Sequence, residues 1–582
     1  MKKYFTLHAD AIFYGLIVLA GFLIFHFNLF RVGFPMSHDA VDHLIRTAHY
    51  FRLLQEGQFL PFWDGYMNQG FGSPLFNYVP PLLYILASLF KFVNFSTFLS
   101  LKITIIIFNI VFFWGSLKWL RLYFKTRTAF LATIILFFSP YRIAQIFVRG
   151  AFPEFAALSL TPLFLYFLIQ SLKAKKLSKH FFLAAIMLSL ILLAHTLFAI
   201  QLCLVLGLLT AVFFFQKRLT FIAIILGVLL LSLSLAAFMY LPILFEVSYV
   251  KLFLADAFNP QEHFSAFWQL FDPGWGLGFS MPGTTQDGMS FQLGVFHWLF
   301  GALTLFLLLY QKVKNVKFSR YSQLLLFVFI LLLLTIFLQL QSPVTTLLYQ
   351  KITIFHRQQF PWRLLNLSIL CSTFIGAFAI DYFKPSWIKM SVLFCLIFGF
   401  SLYYLRPGVF LHFTDQELLA FDSDTTFSHE YTPIGRDTTA EKEYQAAEKV
   451  YLAEGSAIVG KTTSNSSKTI FEVISQGNFA KIRLNQLYFP GIRVFSNGEP
   501  LSYKVLTKED LLPTEKRDVT GIIEIDLPAV DQTQQIEVIY FPTFWRSFGA
   551  GISLATYLLI GAYFFFTWTK RLRTNKKEYS TL

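Results

Sequence analysis

The chain has 582 residues, 55% hydrophobic and only 14% charged, with a mean hydropathy of +0.57. Soluble domains carry about 25% charged residues, so a soluble globular protein is excluded and a polytopic membrane protein is expected. The formal charge of +15 does not mark a nucleic-acid binder, because residues 406–545 hold 20 acids against 13 bases and the excess of bases lies elsewhere.

In chain order, Met1-Lys2-Lys3 leads into an apolar run over residues 10–30. The run is long enough to span and no small-residue cleavage site ends it, so it reads as a retained helix and not as a cleaved signal. Further apolar runs lie at 98–117, 128–147, 155–172, 180–194, 196–214, 219–240, 295–311, 322–340, 363–383, 387–405 and 547–568. Cys203, Cys371 and Cys395 fall inside such runs without ligand-like spacing, which implies neither a disulfide framework nor a zinc site. The segment Leu75–Val93 is ambiguous, and the basic clusters decide it: Lys118–Arg127, Lys173–Lys179, Lys217-Arg218, Lys312–Arg320, Lys384–Lys389 and Lys570–Lys577. If Leu75–Val93 is left out as a juxtamembrane or re-entrant helix, in keeping with Asn77 and Pro80-Pro81, all of them become cytoplasmic. About twelve crossings follow, with both termini cytoplasmic. Asp39, Asp42, Asp64, Glu154, Asp256, Glu262, Asp272 and Asp287 then face outside.

Beyond Arg406 the pattern changes to alternating segments at Ser456–Lys461, Lys468–Ser475, Phe479–Phe489 and Ile536–Phe541, with Asn497-Gly498 as a hairpin turn. The expected fold is a polytopic α-helical membrane protein with a β-rich, sandwich-like extracytoplasmic domain. Its plan is a transmembrane body over 1–405 with a first outer loop at 31–97, a β domain over 406–546, and a last span with a basic tail over 547–582.

Chemistry-bearing residues concentrate on the outer side. With Ser37 as cap of a helix starting at His38, Asp39, Asp42, His43 and Arg46 share one face. They suit a general base, Asp39 coupled to His38 or His43, or ligands for a divalent metal ion. A solvated interfacial helix has the same pattern. Tyr141-Arg142 and Arg149-Gly150-Ala151-Phe152-Pro153-Glu154 lie where one span ends outside and the next begins, with Arg149 and Glu154 either as a salt bridge closing a turn or as a ligand site. His195-Thr196, at another outer hairpin, reads as structural. The loop 245–294, with Asp272-Pro273-Gly274-Trp275-Gly276-Leu277-Gly278, suits sugar stacking or an interfacial tryptophan belt. His356, Arg357 and Arg363 suit a phosphate, or headgroup snorkelling. No phosphate-cradling glycine loop or nucleophile elbow is present, which argues against an ATP-driven machine.

Ser37-His38-Asp39, Phe62-Trp63, Gly70-Phe71-Gly72-Ser73-Pro74, Tyr78-Val79-Pro80-Pro81, Arg149–Glu154 and Gln359-Phe360-Pro361-Trp362-Arg363 resemble a bacterial membrane family labelled "6-pyruvoyl-tetrahydropterin synthase related". The zinc-binding histidine cluster of the soluble synthase is not found. The layout is similar to the GT-C glycosyltransferase superfamily and to YfhO-like proteins, as is Tyr488-Phe489-Pro490-Gly491-Ile492-Arg493-Val494 in the outer domain, with Ile492 where a tryptophan is usual. The resemblance implies transfer of a sugar from a polyprenyl-phosphate donor to a cell-envelope glycan, polymer or lipid acceptor, with Asp39 as base and Glu154 as a second acid. His38, Asp42, His43, Arg149, His356, Arg357 and Arg363 are the expected substrate-binding residues. The acids leave room for a divalent metal ion, and no other cofactor is implied. A lipid-linked glycan flippase or transporter, or a non-catalytic scaffold of an envelope-polymer assembly, are the alternatives.

Overall fold

The computed structural model describes residues 2–253, 259–313, 322–421, 425–426, 429–435, 448–510 and 520–579. Asp256 and most of the Lys312–Arg320 cluster lie outside them. Crossing about 30 Å of hydrocarbon at about 1.5 Å per residue takes about 20 helical residues. Nine described helices are long and apolar enough: Ile12–Phe30, Thr97–Leu120, Phe152–Ala174, Thr196–Phe215, Val295–Lys312, Ser322–Gln339, Pro361–Tyr382, Trp387–Tyr404 and Phe544–Thr569. Two more runs are bent pairs, Thr126–Phe137 with Pro140–Phe147 at 42° and Leu219–Leu235 with Ala237–Tyr249 at 81°. The first bend sits at Pro140, which has no N–H to continue the helical ladder. The remaining run is the 16-residue helix Lys179–Ala194. Leu75–Val93 breaks into Leu75–Tyr78 and the 10-residue helix Leu82–Lys91, whose reach of about 15 Å is half the hydrocarbon thickness.

Two compact units emerge. The first comprises Met1–His43, Phe98–Leu226 and Phe258–Phe413, the second Leu44–Thr97, Gly227–Ala257 and Thr414–Leu582. These divisions cut the chain elsewhere than the plan drawn from sequence, since most of the first loop groups with the β region.

In the first unit, loops expected on one side of the membrane meet each other. Met36 N–H donates to Val409 O at 2.9 Å, and Phe34–Pro35 form a two-residue ladder with Phe410–Leu411. Helix ends expected on the other side also meet, Thr128 Oγ1 donating to Asp381 at 2.8 Å and the Arg127 guanidinium lying 4.8 Å from the Trp387 ring centre. Nearly every residue of the apolar stretch of Pro361–Tyr382 is buried, and this span forms the centre of the unit.

The second unit is built on one antiparallel sheet of β1 (Val450–Ser464), β2 (Lys468–Leu487), β3 (Ile492–Ser496), β4 (Glu499–Leu501), β5 (Lys504–Val505) and β6 (Ile522–Tyr540). Its order is β1-β2-β6-β3-β4, with β5 also on β6. A single sheet among the described residues replaces the expected sandwich. The two strands expected at 468–475 and 479–489 are one, because the Gln476-Gly477-Asn478 interruption is absorbed as a bulge between Ser475 and Phe479. Asn497 and Gly498 take positive φ, 49° and 88°, at the β3–β4 turn, as the dipeptide predicts.

First-loop residues complete the core of this sheet. Trp63, Phe71 and Tyr78 share a buried cluster with Phe471, Ile482, Ile525 and Val538. Trp63 stacks on Tyr540 with centroids 3.9 Å apart, and Leu487 N–H donates to Phe71 O at 2.9 Å. Gly72, at φ 91°, lies against the Trp63 indole with no room for a Cβ. The Phe62-Trp63-Asp64 and Gly70–Pro74 motifs therefore pack this core.

Candidate functional site

The turn Ser37-His38-Asp39 sits on the connection before Phe152. His38 N–H donates to Val148 O and Asp39 N–H to Arg149 O, each at 3.0 Å. Gly150 has φ 66°, and a Cβ there would meet Ser37 Oγ at 2.5 Å and Asp39 N at 3.1 Å, so the seat requires glycine. The helix begins at Ala40, two residues later than expected, and runs to Gln55. Ser37 is therefore no side-chain cap, and Asp39 is an exposed carboxylate in the turn ahead of the helix instead of a member of its polar face.

Beneath this turn lies a buried ionic cluster. Glu154 Oε2 accepts from Arg149 at 2.9 Å and faces Arg363 Nε at 3.5 Å. Its Oε1 accepts from Asn366 at 2.6 Å, Arg149 and Tyr141 at 3.1 Å, and Gln145 at 3.3 Å. Burial acts to lower the pKa of Arg149, but the Glu154 carboxylate more than reverses it, so this guanidinium stays ionised. It also lies 4.6 Å from the Trp362 ring centre. Two arginines share one carboxylate, leaving one positive charge in excess, and the exposed Asp39 acts electrostatically on both. Both lobes of the Glu154 carboxylate are occupied.

The other candidates have different partners. His38 Nε2 contacts Leu277 O at 3.1 Å and its ring lies 4.2 Å from that of Phe279. Burial lowers its pKa. It thereby holds a tight hairpin in which Gly278 N–H donates to Gly288 O at 2.9 Å and Gly288 N–H to Phe279 O at 2.8 Å. Gly278 and Gly288 approach too closely for side chains. The hairpin's Ser280 Oγ accepts from Trp362 Nε1 at 3.2 Å. His43 is buried, its ring 5.5 Å from that of Phe152, and Asp42 is half-buried. His356 and Arg357, both half-buried, close the short helix Thr353–His356 just ahead of Arg363. Among the described residues no group of three or more His, Cys, Asp or Glu is arranged to hold a metal ion, so the Asp39, Asp42 and His43 set does not fit a divalent metal site.

Sequence reasoning named Tyr141 without giving it a partner and missed Gln145 and Asn366. Their signal was spacing: Tyr141 and Gln145 stand one helical turn apart, as do Arg363 and Asn366. Arg142, expected where a span ends outside, is fully buried in a bent span. Arg142 donates to Phe137 O at 3.2 Å and to Asn109, whose Nδ2 in turn donates to His26 Nε2 at 2.7 Å. The rings of Phe112, Phe137 and Phe155 lie 4.0, 4.8 and 4.9 Å from the guanidinium carbon.

Residues 76–264 match the model of a family described as "6-pyruvoyl-tetrahydropterin synthase related domain; membrane protein". No curated protein matches the chain. Among solved structures, the chain is similar to the arabinofuranosyltransferase AftD from Mycobacteria, at 13% identity and a TM-score of 0.43 over 67% of this chain and 26% of that one. It is also similar to the Archaeoglobus fulgidus oligosaccharyltransferase tethered with an acceptor peptide, at 11% identity and a TM-score of 0.41 over 71% of this chain and 55% of that one. The archaeal oligosaccharyltransferase AglB from Archaeoglobus fulgidus, in complex with an inhibitory peptide and a dolichol-phosphate, gives 13% identity and a TM-score of 0.36 over 71% and 56%. The chain thus spans about a quarter to about half of the length of these proteins.

Proposed function

We propose that the protein is an inverting membrane glycosyltransferase of GT-C type that moves a sugar from a polyprenyl-phosphate donor to a cell-envelope acceptor at the outer face of a bacterial plasma membrane. The observation that carries this is an exposed carboxylate, Asp39, seated by backbone hydrogen bonds directly on a buried Arg149–Glu154–Arg363 cluster with one positive charge in excess. Asp39 takes the proton of the acceptor hydroxyl, whose oxygen attacks the anomeric carbon. The bond from that carbon to the phosphate oxygen breaks, and the polyprenyl phosphate leaves with the electron pair. Arg149 and Arg363 stabilise the phosphate charge, with Arg357 as a further cation. Glu154 is a positioning residue: its engaged carboxylate holds both guanidinium forks in place and is not a second base. The basic clusters support an outer location for this site, with both termini cytoplasmic.

The flippase reading gains one observation, the two bent spans with Arg142 inside the first. Arg142 is enclosed by phenylalanines and hydrogen-bonded to Asn109, which fits helix packing better than a translocation path. Purified protein in vesicles, given a labelled polyprenyl-phosphate sugar and a crude envelope acceptor, separates the readings. Label covalently joined to acceptor supports transfer. Label moved between leaflets without transfer supports a flippase and overturns the proposal, and label merely bound supports a scaffold and overturns it equally.

A further inference from the structure

The helix Thr196–Phe215 is capped by His195, whose Nδ1 accepts the Phe198 backbone N–H at 3.1 Å. That bond commits Nδ1 as an acceptor, so the neutral ring carries its proton on Nε2. Burial pulls the pKa down to about 3, which keeps the ring neutral at physiological pH. His195 is half-buried, and its Nε2–H has no hydrogen-bond partner among the described residues. The same ring is coupled electrostatically to Glu154, Arg363 and Arg149. Its helix is also tied to the segment that carries Arg357 and Arg363, through a 2.8 Å bond from Gln201 Nε2 to Gln358 Oε1. A third cation beside two arginines that share one carboxylate would be repelled. A neutral N–H adds a hydrogen bond without that cost.

We infer that His195 is a further donor-binding residue, its Nε2–H donating to an oxygen of the leaving phosphate beside Arg149 and Arg363. The inference rests on the glycosyl-transfer reading. Its test uses His195→Asn, because asparagine is among the strongest helix caps yet has no group in the place of Nε2–H. The probe is geranyl phosphate, titrated against the full-length protein in detergent, with thermal unfolding measured in parallel. His195→Asn is expected to unfold at the wild-type temperature and to bind geranyl phosphate about tenfold more weakly, the loss of one charge-assisted hydrogen bond. Wild-type affinity in His195→Asn, alongside weakened binding in Arg363→Lys, would overturn the role of His195 and leave the phosphate site standing. Wild-type affinity in both variants would remove the phosphate site itself. Should His195→Asn fail to fold, His195→Ser, another good cap without the donor, is read by the same criteria.

Discussion

Ser37–His43 and Phe62–Tyr78 follow one another in the first loop, and both are rich in acids, imidazoles or aromatics. Their surroundings differ. The earlier segment leaves Asp39 exposed on the Arg149–Glu154–Arg363 cluster, whereas the later one is consumed by packing. Trp63 is stacked on Tyr540 inside the sheet core, and the neighbouring Asp64, fully buried, is paired with His49 at 2.8 Å. Chemically similar side chains close together in one chain can thus serve either an accessible charge or a filled core. Exposure, and not composition, separates the two.

Substitutions should separate them as well. Trp63→Ala empties the largest buried side chain of the sheet core, and truncations of this kind cost about 3 to 5 kcal/mol. It should lower the unfolding temperature, read by calorimetry, while binding of polyprenyl phosphate by the surviving folded fraction is unchanged. A fully stable Trp63→Ala protein with lost ligand binding would break the contrast. Glu154→Gln keeps the volume but strips the charge that holds two arginines, and breaking a buried ion pair costs about 3 to 5 kcal/mol. The variant should unfold at lower temperature without ligand and recover more on adding polyprenyl phosphate than the wild type does, because the bound anion replaces the missing charge. Equal ligand-induced shifts in the two proteins would speak against a phosphate beside Arg149 and Arg363. Arg363→Lys retains the charge but not the planar fork, so phosphate affinity should fall about tenfold in a binding titration, one charged hydrogen bond being worth about 1.5 to 3 kcal/mol. Headgroup snorkelling alone predicts no change.

The membrane spans were legible in sequence because hydrocarbon imposes a length and an apolarity that any window detects. Leu75–Val93 was rejected as a crossing on charge parity, and the 10-residue helix Leu82–Lys91 gives the same answer by length. The Asn497-Gly498 turn was legible because its φ angles are local. What was not legible depends on contacts far apart in the chain. Gly72 and Trp63 reveal their shared purpose only through the sheet that closes over them, and Glu154 reveals its saturation only once Asn366, more than two hundred residues away, donates to it. The start of the helix at Ala40 was misjudged by two residues because His38 and Asp39 give their backbone N–H groups to Val148 and Arg149 and not to a helix of their own. The proposed outward orientation of both segments is open to direct labelling. Cysteine at the exposed Thr463 should react with an impermeant thiol reagent in intact cells and cysteine at the exposed Lys176 should not. The reverse pattern would put Asp39 on the wrong side.

The central claim is that Asp39 acts as a base on a substrate it does not itself hold. Asp39→Asn keeps the size of the side chain, and its backbone N–H still reaches Arg149 O. In a transfer assay with a labelled polyprenyl-phosphate sugar, donor affinity and unfolding temperature should match the wild type while turnover falls on the order of a hundredfold to ten-thousandfold. Wild-type turnover in Asp39→Asn would contradict the account.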